Sequence, residues 1–461
     1  MIRLIFRQLS IVCLVCSLSQ SAIAQFVKAD GYKGIWFTLG QYSAHGDKYS
    51  GGLGTYTSSH IPIAVYAPEV KKTFFVYGGT TKADAKHLLI MLSYFDHTKK
   101  QVPRPVVLYD KMGVDDPHDN ASISIDEKGF IWIFVSGRNT SRRGLIFKSR
   151  KPFETDDFEK IRDTDMTYPQ PWWIKGKGFF YLFTKYTNGR ELYWSTSSDG
   201  TSWSDDNKLA GMGGHYQVSN SRDNKIVTAF NYHPGGNVDK RTNIYLIQTI
   251  DMGKTWTSVS GNPIQTPISD KNSEALVKDF ENEKKLVYLN DISFDDAENP
   301  VILAVISNNF QPGPPGNLRQ WVVVQRKGNK WETNTVCRSS HNYDMGSLYI
   351  NGNSWQVIGP TDPGPQPKGT GGEMVVWESR DKGYTWQRKR VLTSNSTRNH
   401  SYARRPSVMH PDFVALWADG NADSMSISKL FFTDSKGAVY ELPYEMKADF
   451  QRPALVTGRI K

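Results

Sequence analysis

Three regularities in this 461-residue chain predict an all-β fold, a seven-bladed β-propeller. The first is a polar opening that leads into an apolar run, a turn and a second apolar run. It occurs at Ser59-His60-Ile61-Pro62, Asp116-Pro117-His118-Asp119, Tyr168-Pro169-Gln170-Pro171, His215-Tyr216-Gln217-Val218, Asn272-Ser273-Glu274-Ala275, His341-Asn342-Tyr343-Asp344 and Tyr402-Ala403-Arg404-Arg405-Pro406. The openings recur every ~50 to 70 residues, the length of one four-stranded blade. The second is the density of short β-rich runs: 61–66, 73–77, 88–93, 131–135, 179–183, 192–195, 226–230, 244–249, 286–289, 301–306, 321–324, 354–358, 373–378, 414–418 and 430–433. Many alternate or are continuously apolar, and Gly, Asn, Asp or Pro bounds them. The third is a turn carrying Asp, Gly and Trp, centred on Asp199, Asp251 and Asp381, with spacings of 52 and then 130 residues. No stretch shows a long helical period.

Taken in order, residues 1–24 read as a cleaved leader. Arg3 and Arg7 make a basic start, residues 9–18 an apolar core, and Ala22-Ile23-Ala24 a small-residue cleavage site. The mature chain is expected to begin at Gln25 and to be exported, periplasmic or secreted from a bacterium. Val15 before Cys16 speaks against a lipid anchor, and no later run is apolar for ~18 residues, so no membrane span is expected. Residues 25–461 read as a single propeller that forms the catalytic domain; at about 437 residues this is long enough to rest on its own core. Cys337 is the one cysteine outside the leader, so no internal disulfide is possible. Asp126-Glu127-Lys128-Gly129, Lys175-Gly176-Lys177-Gly178 and Asn351-Gly352-Asn353 read as turns between first and second strands. The Pro/Gly-rich segments 311–316 and 360–372 read as surface loops.

The formal charge is +10, and removing Arg3 and Arg7 leaves 54 basic against 46 acidic side chains. A basic exported protein suits an acidic partner. There is no Lys/Arg block and no recognition-helix pattern, so nucleic acid is not expected. An anionic polysaccharide is the expected partner of a monomeric chain; a basic surface without a specific partner is the alternative. No HExxH, CxxC or Asp-rich calcium loop occurs, nor a phosphate-cradling glycine loop or a Gly-x-Ser-x-Gly elbow. Neither metal nor cofactor is expected.

In a propeller the inner strand of each blade lines the central channel, so residues that open those strands converge. His60 is either a proton-transfer group or a hydrogen-bonded turn histidine. His118 lies among Asp115, Asp116 and Asp119; flanking carboxylates orient an imidazole and raise its pKa, which suits acid–base work. Arg138, 20 residues on, could hold a carboxylate bidentately. Tyr168 could act as acid or base, while Trp172 and Trp173 are either core or a sugar platform. Lys185 and Tyr186 follow a strand. His215, Tyr216, His233, Arg241, His341, Tyr343, His400, Arg404 and Arg405 complete the ring, and their joint placement marks a binding site.

The Asp, Gly and Trp turns look like Asp-boxes, the bacterial neuraminidase repeats, and serve architecture. Sialidases of that class carry an Arg-Ile-Pro where this chain has His60-Ile61-Pro62, and no Glu–Tyr nucleophile pair is evident, so sialidase activity is not expected. Tyr32-Lys33-Gly34-Ile35-Trp36-Phe37, residues 48–56, residues 115–120, Asn231-Tyr232-His233-Pro234, residues 239–243 and Trp417-Ala418-Asp419-Gly420-Asn421 resemble the BNR-4 repeat family over nearly all the mature chain. The resemblance implies a propeller acting on rhamnose joined α-1,4 to glucuronic acid. One branch releases L-rhamnose hydrolytically with a single histidine, implied here as His60. Another branch comprises lyases, including ulvan lyases, which use a histidine, a tyrosine and an arginine. His118 and Tyr168 match the first two. Arg138 stands where that branch has a second histidine, and Lys185 stands in for its arginine. A hydrolase normally needs two flanking carboxylates, and no such pair is visible at the strand openings. The expected activity is an α-L-rhamnosidase, with a polysaccharide lyase as the alternative and a non-catalytic glycan-binding propeller as the third reading.

Overall fold

The computed structural model describes residues 26–316 and 319–456; the expected leader and its cleavage site lie outside the described residues. Seven antiparallel sheets follow one another along the chain, each in meander order. Their inner strands are Ala64–Ala67, Ala121–Ile125, Thr167–Ile174, Gln217–Arg222, Leu286–Phe294, Ser347–Asn351 and Asn399–Arg404, which begin blades 1 to 7. All fifteen apolar runs overlap observed strands, and 131–135 and 430–433 match at both ends. Second strands are the most apolar. Ile131–Val135 is buried throughout, and Trp132, Trp355 and Trp417 of second strands are wholly buried. Packing between neighbouring blades covers both faces of these strands, which is why they read as unbroken apolar runs.

One expected opening is misplaced. Asn272-Ser273-Glu274-Ala275 leads into Leu276–Lys278, the outermost strand of blade 4, and not into an inner strand. Blade 5 begins instead at Leu286–Phe294, whose polar Asn290-Asp291 sits inside the strand. The long connection carrying the second Asp-box displaced the expectation by one strand.

The three Asp-boxes sit between third and fourth strands of blades 3, 4 and 6. Asp199 accepts from Thr201 N and Ser202 N, and Asp251 and Asp381 each accept from the Thr N four residues on. Gly200, Gly253 and Gly383 adopt φ of 77°, 82° and 82°, the left-handed region where glycine is the least strained residue.

Among the described residues the sheets of blades 1 and 7 have no strand in common. Residue Gly34 bridges Gly79 of blade 1 and Ser428 of blade 7, and Phe450–Gln451 pairs with Val102–Pro103. A hairpin of Trp36–Thr38 and Ser50–Gly52 lies over this seam. Gly52 approaches so closely that a Cβ would stand 1.6 Å from Asp419 O. This amino-terminal segment then turns inward and delivers Tyr49 and Tyr56 to the centre.

Candidate active site

His118, Tyr168, Tyr216 and Tyr343 stand at or just before the starts of inner strands and meet in one polar cluster. At blade 2, Asp116 caps a short 3₁₀ turn, Pro117–Asp119, by accepting from His118 N at 3.0 Å. The same carboxylate accepts from His118 Nδ1 in a short hydrogen bond. That contact leaves Nε2 as a lone pair, and the hydroxyls of Tyr49 and Tyr56 each lie 2.7 Å from it. Burial pushes the His118 pKa down, against the opposing pull of Asp116; the flanking carboxylate orients the ring, but the expected upward shift does not follow. Asp116 is itself pulled two ways: burial raises it, while His118 and Arg138 hold the carboxyl below its ordinary range. Arg138 reaches Asp116 at 3.0 Å, and Arg142 joins Asp119 and Asp116.

A ladder of phenols and guanidinium groups continues across the channel mouth. The Tyr168 ring lies 6.2 Å from His118 and 5.6 Å from Tyr216. Arg190 spreads over Tyr216, Tyr186 and Tyr168 at 4.6, 5.1 and 5.4 Å and donates to the Tyr186 hydroxyl at 2.7 Å. Arg241 covers the other side, over Tyr288, Tyr216 and Tyr343 at 4.4, 4.8 and 5.5 Å, and donates to Tyr343 Oη at 2.9 Å. Desolvation raises phenol pKa values, and Tyr168 is pushed well above the ordinary value mainly by burial. Tyr216 goes the other way. Burial would raise it, but Arg190, Arg241 and Lys48 together turn the net shift downward. Tyr216, Arg190 and Arg138 are only partly buried, so a ligand can reach them, whereas Tyr168 is fully covered and its hydroxyl has no hydrogen-bond partner.

The remaining expected residues divide. His60 is wholly buried beneath the cluster: Nδ1 accepts from Thr57 N at 2.9 Å, and Nε2 lies 3.1 Å from His118 O. Burial drives its pKa down to about 3. Arg404 is also internal and donates to the carbonyls of Thr55, Thr57, Ser58 and His60, holding the segment that carries Tyr56. Arg405 pairs with Asp291 at 2.7 Å, lines a separate pocket with Ile61, Pro62 and Trp172, and does not join the cluster. Lys185 pairs with Asp206 at 3.0 Å and lies over Tyr193; alternation along Gly178–Tyr186 sends Tyr186 to Arg190 and Lys185 to the other face. His215 is structural, accepting from Met212 N and facing Asn231 O at 2.7 Å. His233 packs on Tyr216 at 5.2 Å, and His341 accepts from Tyr343 N. The Tyr343 and Tyr49 rings meet at a tilt, with centroids 4.9 Å apart. His400 bonds Trp417 of blade 7 and Ser396 of the loop before it. Trp172 donates to Ser219 and is core.

Sequence reasoning missed Arg190, Tyr49 and Tyr56 as site residues. Residues 48–56 were visible as a motif, but nothing in their spacing places them beside His118. Arg190 begins the third strand of blade 3 and lies in none of the recognised motifs. At the centre a cavity of about 30 Å³ is lined by Tyr56, Tyr216, Arg241, Tyr288, Tyr343 and Tyr402. That holds about a water or two.

Fold and cluster together define a seven-bladed propeller whose mouth carries a histidine–tyrosine–arginine site. Residues 72–339, more than half of the chain, match the BNR repeat-containing family, and the chain belongs to it. None of the curated proteins compared matches the sequence. Among solved structures, an ulvan lyase described as a new polysaccharide lyase family superposes with a TM-score of 0.70 at 14% identity, covering 89% of this chain and 96% of that one. The same kind of lyase bound to -[GlcA(1-4)Rha3S]- superposes with a TM-score of 0.69 at 13% identity, with coverage of 89% and 96%. At these identities the likeness is one of fold.

Proposed function

We propose that the chain is a polysaccharide lyase that cleaves rhamnosyl–glucuronate glycans by β-elimination at the uronic acid. The observation that carries this reading is Tyr216, a reachable phenol gripped between Arg190 and Arg241 beside the His118 cluster. A β-elimination needs a cation on the uronate carboxylate, a base for the proton on the adjacent carbon and an acid for the departing oxygen. Arg190 and Arg138 stand at the mouth for the carboxylate. Tyr216, with its lowered pKa, is the base that removes the C5 proton. The C5–H electron pair forms the C4–C5 double bond as C4–O4 breaks. Tyr216, now protonated, or the Tyr49–Tyr56–His118 relay returns a proton to O4. The fold shared with ulvan lyases supports the substrate class.

The rhamnosidase reading loses ground on the geometry of His60. Both of its nitrogens are engaged and the side chain is wholly buried, so a substrate meets it only after the layer above moves. One incubation with ulvan and one with gum arabic separate the two chemistries. The ultraviolet absorbance of an unsaturated uronate is expected to rise with chain cleavage. Free rhamnose without that absorbance would restore the hydrolase and His60; neither signal would favour glycan binding without catalysis.

A further inference from the structure

A second cluster of metal-ligating side chains lies at the opposite end of the blades from the tyrosine–arginine site. His97 follows the third strand of blade 1, Leu89–Asp96, and His410 and Asp412 lie between the first and second strands of blade 7. One ligand atom from each of the three falls within 4.8 Å of the others. Asp412 Oδ2 is 3.5 Å from His97 Nδ1 and 3.5 Å from His410 Nδ1. Donors around a tetrahedral zinc, with bonds of ~2.0–2.2 Å, stand ~3.4 Å apart. The two imidazole rings face each other with centroids 3.8 Å apart.

His97 is oriented towards this cluster. The residue is only 7% exposed, and its Nδ1 is buried without a hydrogen-bond partner. Its Nε2 is tied to Thr73 Oγ1 at 2.8 Å. With Nε2–H donating to that hydroxyl, Nδ1 presents a lone pair to His410 and Asp412. Metal-bound histidines are commonly held in this way by a polar group on the far ring nitrogen. An orphaned buried acceptor carries a desolvation cost that a cation would remove. Two contacts must yield. His410 Nδ1 accepts from Asp412 N at 3.1 Å, so that an ion takes this lone pair or the Nε2 one after a ring flip. Lys100 is paired with Asp412 and would swing into solvent, being about half exposed.

We propose that His97, His410 and Asp412 bind a divalent transition-metal ion of the zinc type that pins blade 7 to blade 1. Two imidazoles and one carboxylate suit such an ion better than calcium or magnesium, which prefer all-oxygen sets. Its place on the ring gives it a task. Among the described residues the closing blades have no strand in common, and their inner edges meet through bonds such as Tyr66 N to Val408 O at 3.0 Å and Ser407 N to Ala64 O at 2.9 Å. A cross-link there ties the two ends of a long chain, where loop closure has the most to gain.

The test needs no polysaccharide, so its outcome is independent of the lyase reading. The purified protein is stripped with EDTA, dialysed, and titrated with Zn²⁺ and, separately, Co²⁺. About one equivalent is expected to bind, with the visible absorption of four-coordinate cobalt and a Tm rise of about 2–5 °C at excess Zn²⁺. His410→Ala and Asp412→Asn alter a partly exposed loop and should each weaken binding at least about tenfold and abolish the Tm rise. His97→Ala need not fold, so these two variants decide. Binding of well under one equivalent by the wild type, or equal binding by both variants, would overturn the proposal.

Discussion

At the residue scale the candidate site is a problem of protonation states. His118 is held with its Nε2 free towards two phenols, and Asp116 sets that tautomer. His118→Ala and Tyr216→Phe should each lower the rate of unsaturated-uronate formation by at least about 10²-fold, the usual scale for acid–base groups. Near-normal rates in both would reject these roles. Asp116→Asn keeps the turn cap but weakens the hold on the ring, and should lower kcat by about 10-fold or more with little change in KM. An effect confined to KM would show that Asp116 serves binding alone. His60→Ala is expected to act on stability: it opens a cavity and strands a backbone N–H, at a cost of about 2–4 kcal/mol. Denaturant titration would show this as a lower midpoint; an unchanged midpoint with lost activity would return His60 to the chemistry.

At the element scale, first and second strands were legible because they are apolar runs between turn residues. Edge strands such as Gln387–Val391 and Asn207–Ala210 were not, because an outermost strand half faces water and mixes charge with apolar residues. The Asp-boxes were legible in both position and physics. Gly383→Ala should cost roughly 1–3 kcal/mol. Its φ is +82° and the added Cβ would stand 2.6 Å from the Trp355 ring. Chemical denaturation measures this directly, and a cost near zero would mean that the turn and Trp355 shift at no expense.

At the scale of the whole molecule, several buried histidines make stability depend on pH. Burial holds His60 and His341 down to about 3 and His215 to about 4, against ~6.5 in an unfolded chain. The unfolded state therefore takes up protons first as pH falls. The stability these residues contribute is fully present above pH ~6.5 and declines towards pH 4, each by up to ~1.4 kcal/mol per pH unit. Asp344 has the opposite sign: burial raises its carboxyl to about 7, so its contribution is present at low pH and is lost as pH rises through 7. The histidines outnumber it, and Tm is expected to fall between pH 6.5 and 4. His215→Gln should make that slope shallower; an unchanged slope would remove His215 from the linkage.

The sequence by itself determined the repeat, the blade count and most strands, because alternation and turn chemistry are local properties of a chain. It also pointed to His118, Tyr168 and Tyr216, since strand openings in a ring converge, and to Arg138 and Arg241 from polar segments elsewhere in the repeats. Only the tertiary structure decided which of these meet. Tyr49 and Tyr56 reach His118 from a segment outside any blade, and Arg190 rather than Lys185 faces the phenols because neighbours on a strand point to opposite sides. The same closure turned His60 and Arg404 into internal supports, and brought His97 to His410 across more than 300 residues of chain. Such contacts depend on how the two ends of the ring meet, and no spacing within a single repeat encodes that.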